Sequence, residues 1–124
     1  LDLGNAADGG QFVLGQPLNS RNRRSGDRLR TAAELFPEIT DLGQDDNDLP
    51  SCSAIEALER QEPFVNQVLA NHALALLTRL FRYGRIEHHG GFVSVASPRV
   101  VPIAVNPALW RRIRQRGARL RSAA

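Results

Sequence analysis

The cysteine at position 52 is the only one in the chain, and it lies in the stretch DLPSCSAIEALERQ, residues 48–61. The stretch follows an Asp-rich segment and opens a helical pattern. A thiol at a helix amino terminus ionises more easily, because the positive end of the helix dipole stabilises the thiolate. A lone cysteine is also commonly a small, half-buried residue that fills space under a loop. The pattern leaves both roles open for Cys52.

The three histidines are the remaining candidates for metal ligands. Zinc usually takes four ligands that come in closely spaced pairs. His88 and His89 are adjacent, and adjacent side chains on a strand point to opposite faces. His72 falls inside a helical pattern. We therefore expect no zinc site, and a single cysteine also excludes an internal disulfide.

Arginine supplies all 16 basic residues, and the chain has no lysine, which excludes a Schiff-base lysine. The net charge is only +3, but the charges are segregated. Five Arg lie in residues 21–30, four Asp lie in residues 41–48, and six Arg with no acid follow Asn106. The last group could neutralise nucleic-acid phosphates. A solvated helix face is the commoner role, and only Trp110 could stack on a base, so nucleic acid is not the expected partner.

The two glycine pairs do not have the context of a phosphate-binding loop. Such a loop stands between a strand and a helix amino terminus, and neither Gly9-Gly10 nor Gly90-Gly91 precedes a helical pattern. Each pair instead separates two short apolar runs, which predicts a turn between two strands. The expected strands are residues 1–5 and 11–15 around the first pair, and 85–89 and 92–96 around the second.

One long helix is the clearest predicted element. Apolar residues recur at gaps of three and four from Phe64 to Tyr83, namely at positions 64, 65, 68, 69, 73, 76, 77, 80 and 81, and Gly84 can cap the helix. Shorter elements are a helix at 31–36 that ends before Pro37, a helix at 54–61 with the Ser53–Glu56 capping spacing, a strand at 100–105 in which Pro102 indicates an edge position or a strand start, and a last helix opened by Asn106-Pro107. Residues 16–30 and 40–50 are predicted to be flexible loops.

The chain has the 124 residues of one small domain. The absence of Met and the apolar opening at residues 1–3 favour a fragment over a processed product. No leader pattern opens the sequence, and polar residues interrupt its longest apolar segment, so we expect no membrane span and a cytoplasmic location.

Three stretches resemble a known family: LDLGNAADGGQFVLG, LPSCSAIEALERQEPFVNQVLANHALALLTRLFRYG and IEHHGGFVSVASPRVVPIAV. They are similar to the C-terminal half of ThiF-type adenylyltransferases, the superfamily of ubiquitin-like-protein activating enzymes, and within it to the ThiF members of PRTRC gene clusters. The resemblance covers about residues 1–105, and leaves 106–124 as a short helix and basic tail. It implies an α/β fold, the C-terminal part of a nucleotide-binding fold, with mostly antiparallel strands around one long buried core helix.

The resemblance also implies a reaction. The family uses ATP and Mg²⁺ to adenylate the terminal carboxylate of a ubiquitin-like or sulfur-carrier protein. A cysteine in the loop before the core helix then takes the acyl group or relays sulfur, and Cys52 matches that loop by position. The family's Gly-rich loop, ATP-contacting Arg and Lys, and metal-binding Asp precede the matched part, so the resemblance implies no cofactor and no competence for this chain alone.

The implied partners are an N-terminal nucleotide-binding half, the carrier protein and a second copy of the chain, since relatives are often dimers. Two alternatives stay open. One is a non-catalytic interaction module of the same fold, and the other is a basic nucleic-acid-binding domain.

Overall fold

The computed structural model describes residues 1–37 and 62–122, and these form a four-stranded antiparallel sheet in the order β1-β2-β3-β4 with helices packed on it. The mixed α/β fold with antiparallel strands is therefore confirmed. The strands do not surround the long helix, which lies on one face of the sheet and is buried along one stripe. Cys52, the acidic segment 40–50 and the helix predicted at 54–61 lie outside the described residues. The elements are β1 (Asp2–Asn5), β2 (Gly9–Val13), α1 (Ala32–Leu35), α2 (Val65–Tyr83), β3 (His88–Ser94), β4 (Arg99–Ala104) and α3 (Pro107–Ser122).

The predicted core helix is present as α2, and it ends at Gly84 in the left-handed conformation that caps helices (φ 68°). One stripe of α2 packs on Phe12 and Val93 of the sheet. The predicted buried stripe included too many residues, because Phe64 and Phe81 are 72% and 82% exposed. Phe64 precedes the first helical residue, and at about 100° per residue Phe81 falls well outside the arc of the buried stripe. The buried residues of α2 are Val65, Leu69, Ala73 and Leu76.

The first glycine pair lies inside β2 and not in the turn that the sequence predicted. The turn between β1 and β2 comes earlier, where the Ala6 amide donates to the Gly9 carbonyl oxygen over 2.7 Å. Gly10 pairs with Asn5 on one side and Val93 on the other. A Cβ on Gly10 would collide with the Gly4 carbonyl oxygen of β1 and would also crowd the Leu69 Cδ1 atom of α2. The glycine is therefore needed mainly for the close approach of the β1 backbone.

The second glycine pair also lies inside a strand, so the hairpin predicted across it is wrong. β3 runs without interruption through Gly90 and Gly91, which pair with Val13 and Phe12 of β2. A Cβ on Gly90 would collide with the Phe12 carbonyl oxygen. The hairpin instead joins β3 to β4 through a turn at 95–98. β4 lies at the edge of the sheet, as its proline predicted.

The sheet buries side chains on both faces. Phe12 and Val13 are consecutive strand residues, so they point to opposite sides. We call the side of Phe12, which α2 covers, the α2 face, and the side of Val13 the α1/α3 face. The buried residues of the α1/α3 face are Val13, Ala32, Leu35, Phe36, Ile103 and Trp110.

The two helices of the α1/α3 face begin as the sequence predicted. Thr31 and Glu34 form a capping box at the start of α1. Asn106 caps α3, because its Oδ1 atom accepts hydrogen bonds from the amides of Ala108 and Leu109 over 2.9 and 3.4 Å. The basic tail is itself part of α3, which continues to Ser122.

Candidate functional site

The structure separates the histidines that the sequence singled out. His72 lies on α2 and stacks on Phe12, with ring centroids 5.8 Å apart. His88 is half-buried at the start of β3, and His89 beside it is fully buried. Within residues 1–37 and 62–122 no three His, Cys, Asp or Glu side chains converge as metal ligands.

His89 is a buried polar group on the α1/α3 face. Its Nδ1 atom lies 2.9 Å from the Leu14 carbonyl oxygen, and because a carbonyl only accepts, Nδ1 carries the proton. The Nε2 atom is buried and meets no hydrogen-bond partner among the described residues. The ring contacts Trp110 edge-on at 5.2 Å. Burial lowers the pKa of His89, so the neutral ring is favoured.

Arg28 is a second buried polar group, and it ties down the loop that the sequence predicted to be a flexible surface. Its side chain is 2% exposed. Nη1 donates to the Gln16 carbonyl oxygen over 2.6 Å and to Glu34 Oε2 over 2.9 Å, while Nη2 donates to Glu34 Oε1. The hydrogen bond from Arg28 is the main reason that the pKa of Glu34 is lowered to about 2. A buried, bidentate arginine therefore joins the loop to α1.

The arginines of α3 are arranged differently, because they point to solvent. Trp110 fixes the helix: its side chain is buried, and its Nε1 atom donates to the Ala104 carbonyl oxygen over 3.2 Å. Across the described ranges, the ion pairs are those of Arg28 and Arg30 with Glu34, so the α3 arginines have no acidic partner there. The exposed arginines whose side chains are described are Arg111, Arg112, Arg114, Arg116 and Arg119.

A cleft of about 390 Å³ lies where α2 ends and β3 begins. Tyr83 stands at its edge, with the guanidinium carbons of Arg79 and Arg82 5.4 and 5.7 Å from its ring centroid, within cation–π distance. The cleft has mixed charge and adjoins the negative end of the α2 dipole. Sequence reasoning missed it, although the cap at Gly84 marked the point where the chain reverses. Its lining residues are Arg79, Tyr83, Arg85, Ile86, Glu87 and His88.

Large apolar side chains are exposed at several places among the described residues. They include Leu74 and Phe81 on α2, Leu3 on β1, and Val100 and Val101 on the edge strand β4. Single exposed apolar residues are ordinary, whereas contiguous patches of them are typical of contact surfaces.

No family model, no curated protein and no solved structure matches the chain. None of the described helices combines the length and the hydropathy that crossing a membrane requires.

Proposed function

We propose that the chain is the C-terminal part of a ThiF-type adenylyltransferase, which activates the terminal carboxylate of a ubiquitin-like or sulfur-carrier protein with ATP. One observation supports this most. The strand segments that resemble the family lie before and after the Cys52 loop in the sequence, and they form adjacent antiparallel strands, with Gly10 of β2 opposite Val93 of β3. The buried stripe of α2 covers this pair.

Cys52 is the proposed acceptor thiol. Its thiolate would attack the carbonyl carbon of the carrier's acyl adenylate, so that a thioester forms and AMP leaves. ATP and Mg²⁺ would be held by a nucleotide-binding half on the N-terminal side of the three stretches that resemble the family. The described residues of this chain then supply the scaffold around the acceptor loop.

The test is carrier-dependent exchange of pyrophosphate into ATP, measured on this chain joined to its nucleotide-binding half. We expect exchange in the joined protein and none in the chain alone. The variant Cys52→Ser should keep exchange and lose the carrier thioester, since adenylation precedes transfer to the thiol. Ser53→Ala is the matched control and should keep both. Absence of exchange with every ubiquitin-like carrier offered would contradict the proposal.

The second candidate function is a non-catalytic interaction module with the same fold. The exposed apolar side chains of α2 and β4 favour it, because an interaction surface needs them and a thiol reaction does not. A module would keep full biological activity in Cys52→Ser and lose it in Phe81→Ser. An adenylyltransferase with an acceptor thiol would lose activity in Cys52→Ser.

A further inference from the structure

The positive charge of the chain is concentrated in its last 18 residues, which include all of α3. Residues 1–106 contain ten Arg and thirteen acidic residues, a net charge of −3. Residues 107–124 contain six Arg and no acid, a net charge of +6. Seven of these acidic residues and one Arg lie in residues 38–61, outside the described residues. The described part before α3 has nine Arg and six acidic residues, a net charge of +3, so α3 is the most strongly basic element of the described chain.

The arginines of α3 lie on the side of the helix that does not pack on the sheet. Among the α3 positions whose burial the structure describes, the buried or half-buried ones are Leu109, Trp110, Ile113 and Gly117. At about 100° per residue these four fall within roughly 100° of the helix circumference. The five exposed arginines are spread over roughly 200° on the other side. Arginine side chains therefore project from more than half of the circumference of α3. Trp110 fixes the orientation of this helix on the sheet.

The positions of these arginines do not stabilise α3 as a helix. Like charges three or four residues apart destabilise a helix, and Arg112–Arg116 and Arg116–Arg119 are such pairs. The dipole favours cations only in the last turn, so it does not account for Arg111 or Arg112 near the amino-terminal end. No described acid pairs with these side chains. An anion from outside the described residues would remove the repulsion.

We propose that α3 binds the phosphodiester backbone of duplex DNA, with its arginines contacting phosphates on both sides of the major groove. The groove is about 12 Å wide and admits an α-helix. A helix that carries charge over roughly 200° of its circumference meets phosphates on both walls of such a groove, whereas a flat acidic protein surface would reach one side. Arginine also suits phosphate, because its planar guanidinium donates two parallel hydrogen bonds. This binding is independent of the proposed adenylyltransferase role.

The test is the salt dependence of DNA binding, measured by fluorescence anisotropy on the full chain and a labelled duplex. The triple variant Arg112→Gln, Arg116→Gln, Arg119→Gln removes three exposed charges of α3. The control Arg21→Gln, Arg23→Gln, Arg24→Gln removes three exposed charges of the 16–30 loop. Both variants change the net charge equally, and neither should unfold at a lower temperature than the unchanged protein, because all six side chains are exposed and the α3 variant only relieves repulsion.

The log–log slope of affinity against salt should fall by about 2.7 in the α3 variant, since each phosphate contact contributes about 0.9. Between about 50 and 200 mM salt, the unchanged chain would then lose about 40-fold more affinity than the α3 variant. Arg116→Gln alone should lower the slope by about 0.9. The loop control should keep the original slope.

Four outcomes would overturn the proposal. They are an absence of DNA binding at low salt, equal slopes in the α3 and loop variants, displacement of DNA by polyglutamate at equal charge, and equal affinity for duplex RNA. Displacement by polyglutamate would indicate an acidic protein partner. The deep, narrow major groove of RNA does not admit a helix, so equal affinity there would show that α3 does not lie in the groove.

Discussion

The two faces of the sheet are covered by different kinds of structure. On the α2 face, a 19-residue helix packs its buried apolar stripe on Phe12 and Val93, and His72 stacks on Phe12. On the α1/α3 face, α1 has only four residues, and packing is shared with Trp110 from α3. Arg28 and His89 are also buried, and His89 contacts Trp110. The long helix covers its face mainly with apolar side chains, whereas the short helix is also held by an ion pair between the buried Arg28 and the partly exposed Glu34.

Because of this difference, pH should affect the stability of the two faces differently. The described side chains with a lowered pKa are Glu34 and His89, and neither packs in the α2 core. A carboxyl with a lowered folded pKa stabilises the fold above its unfolded pKa and loses that contribution as pH falls through the folded value. A histidine with a lowered folded pKa stabilises the fold while neutral and loses that contribution as pH falls below about 6.5. Acid should therefore weaken the α1/α3 face first.

The largest expected effect comes from Trp110→Ala, which should lower the free energy of unfolding by about 3–5 kcal/mol. The substitution leaves a cavity and uncovers His89, so we also expect the acid sensitivity near neutral pH to diminish. Leu69→Ala on the α2 face is the matched control. It should cost about 2–5 kcal/mol and keep the acid sensitivity of the unchanged chain. Urea unfolding followed by circular dichroism at several pH values measures both the free energy of unfolding and its acid sensitivity. Equal acid sensitivity in the two variants would contradict the distinction between the faces.

A smaller effect is expected from Arg28→Met, which removes the charged hydrogen bonds to Glu34 and the Gln16 carbonyl oxygen. We expect a loss of about 2–3 kcal/mol, because Glu34 is 31% exposed and stays partly hydrated. The stability that Glu34 contributes above about pH 4.5, and loses as pH falls toward 2, should disappear as well. Arg30→Met is the control: its partner atom lies 3.5 Å away, its side chain is half-buried, and its loss should cost below about 1 kcal/mol. A cost for Arg28→Met no larger than that of the control would contradict a structural role for the buried arginine.

The smallest expected effect belongs to His89. Between about pH 7 and pH 5, protonation of the buried ring should lower the stability of the unchanged chain, because burial lowers the pKa of His89 and Nε2 has no described acceptor. His89→Leu should be less stable at neutral pH, since the Leu14 carbonyl oxygen loses its donor, but its stability should change less across this range. His88→Leu keeps the buried ring and should retain the acid sensitivity. If the stability of the His88 and His89 variants depends on pH in the same way, the buried ring is not the source of the acid sensitivity.

Sequence patterns correctly predicted the helices and the edge strand that are specified by residues close together in the chain. The gaps of three and four with a glycine cap predicted α2, Pro37 predicted where α1 ends, and Asn106-Pro107 marked the start of α3. Pro102 correctly placed β4 at an edge, because proline lacks the amide that an inner strand needs. Each of these signals depends on residues within a few positions of one another.

Long-range contacts decided what local patterns could not. A glycine pair predicts a turn in isolation, but Gly10 and Gly90 pair within strands, where the carbonyl oxygens of Gly4 and Phe12 leave no room for a Cβ. The burial of His89 depends on Leu14, 75 positions away, and on Trp110. Arg28 looked like its exposed neighbours, because nothing in the loop sequence distinguishes the arginine that reaches Glu34. The role of Cys52 stays a prediction from the resemblance.

Amide hydrogen exchange, measured residue by residue near pH 7 and near pH 5.5 and corrected for intrinsic rates, tests the difference between the faces most directly. If protonation of His89 releases Trp110, amides at the start of α3 and in β3 beside His89 should lose protection at the lower pH, while amides of α2 from Leu69 to Leu76 keep it. Equal loss of protection in α2 and α3, or full protection of α3 at the lower pH, would contradict the account.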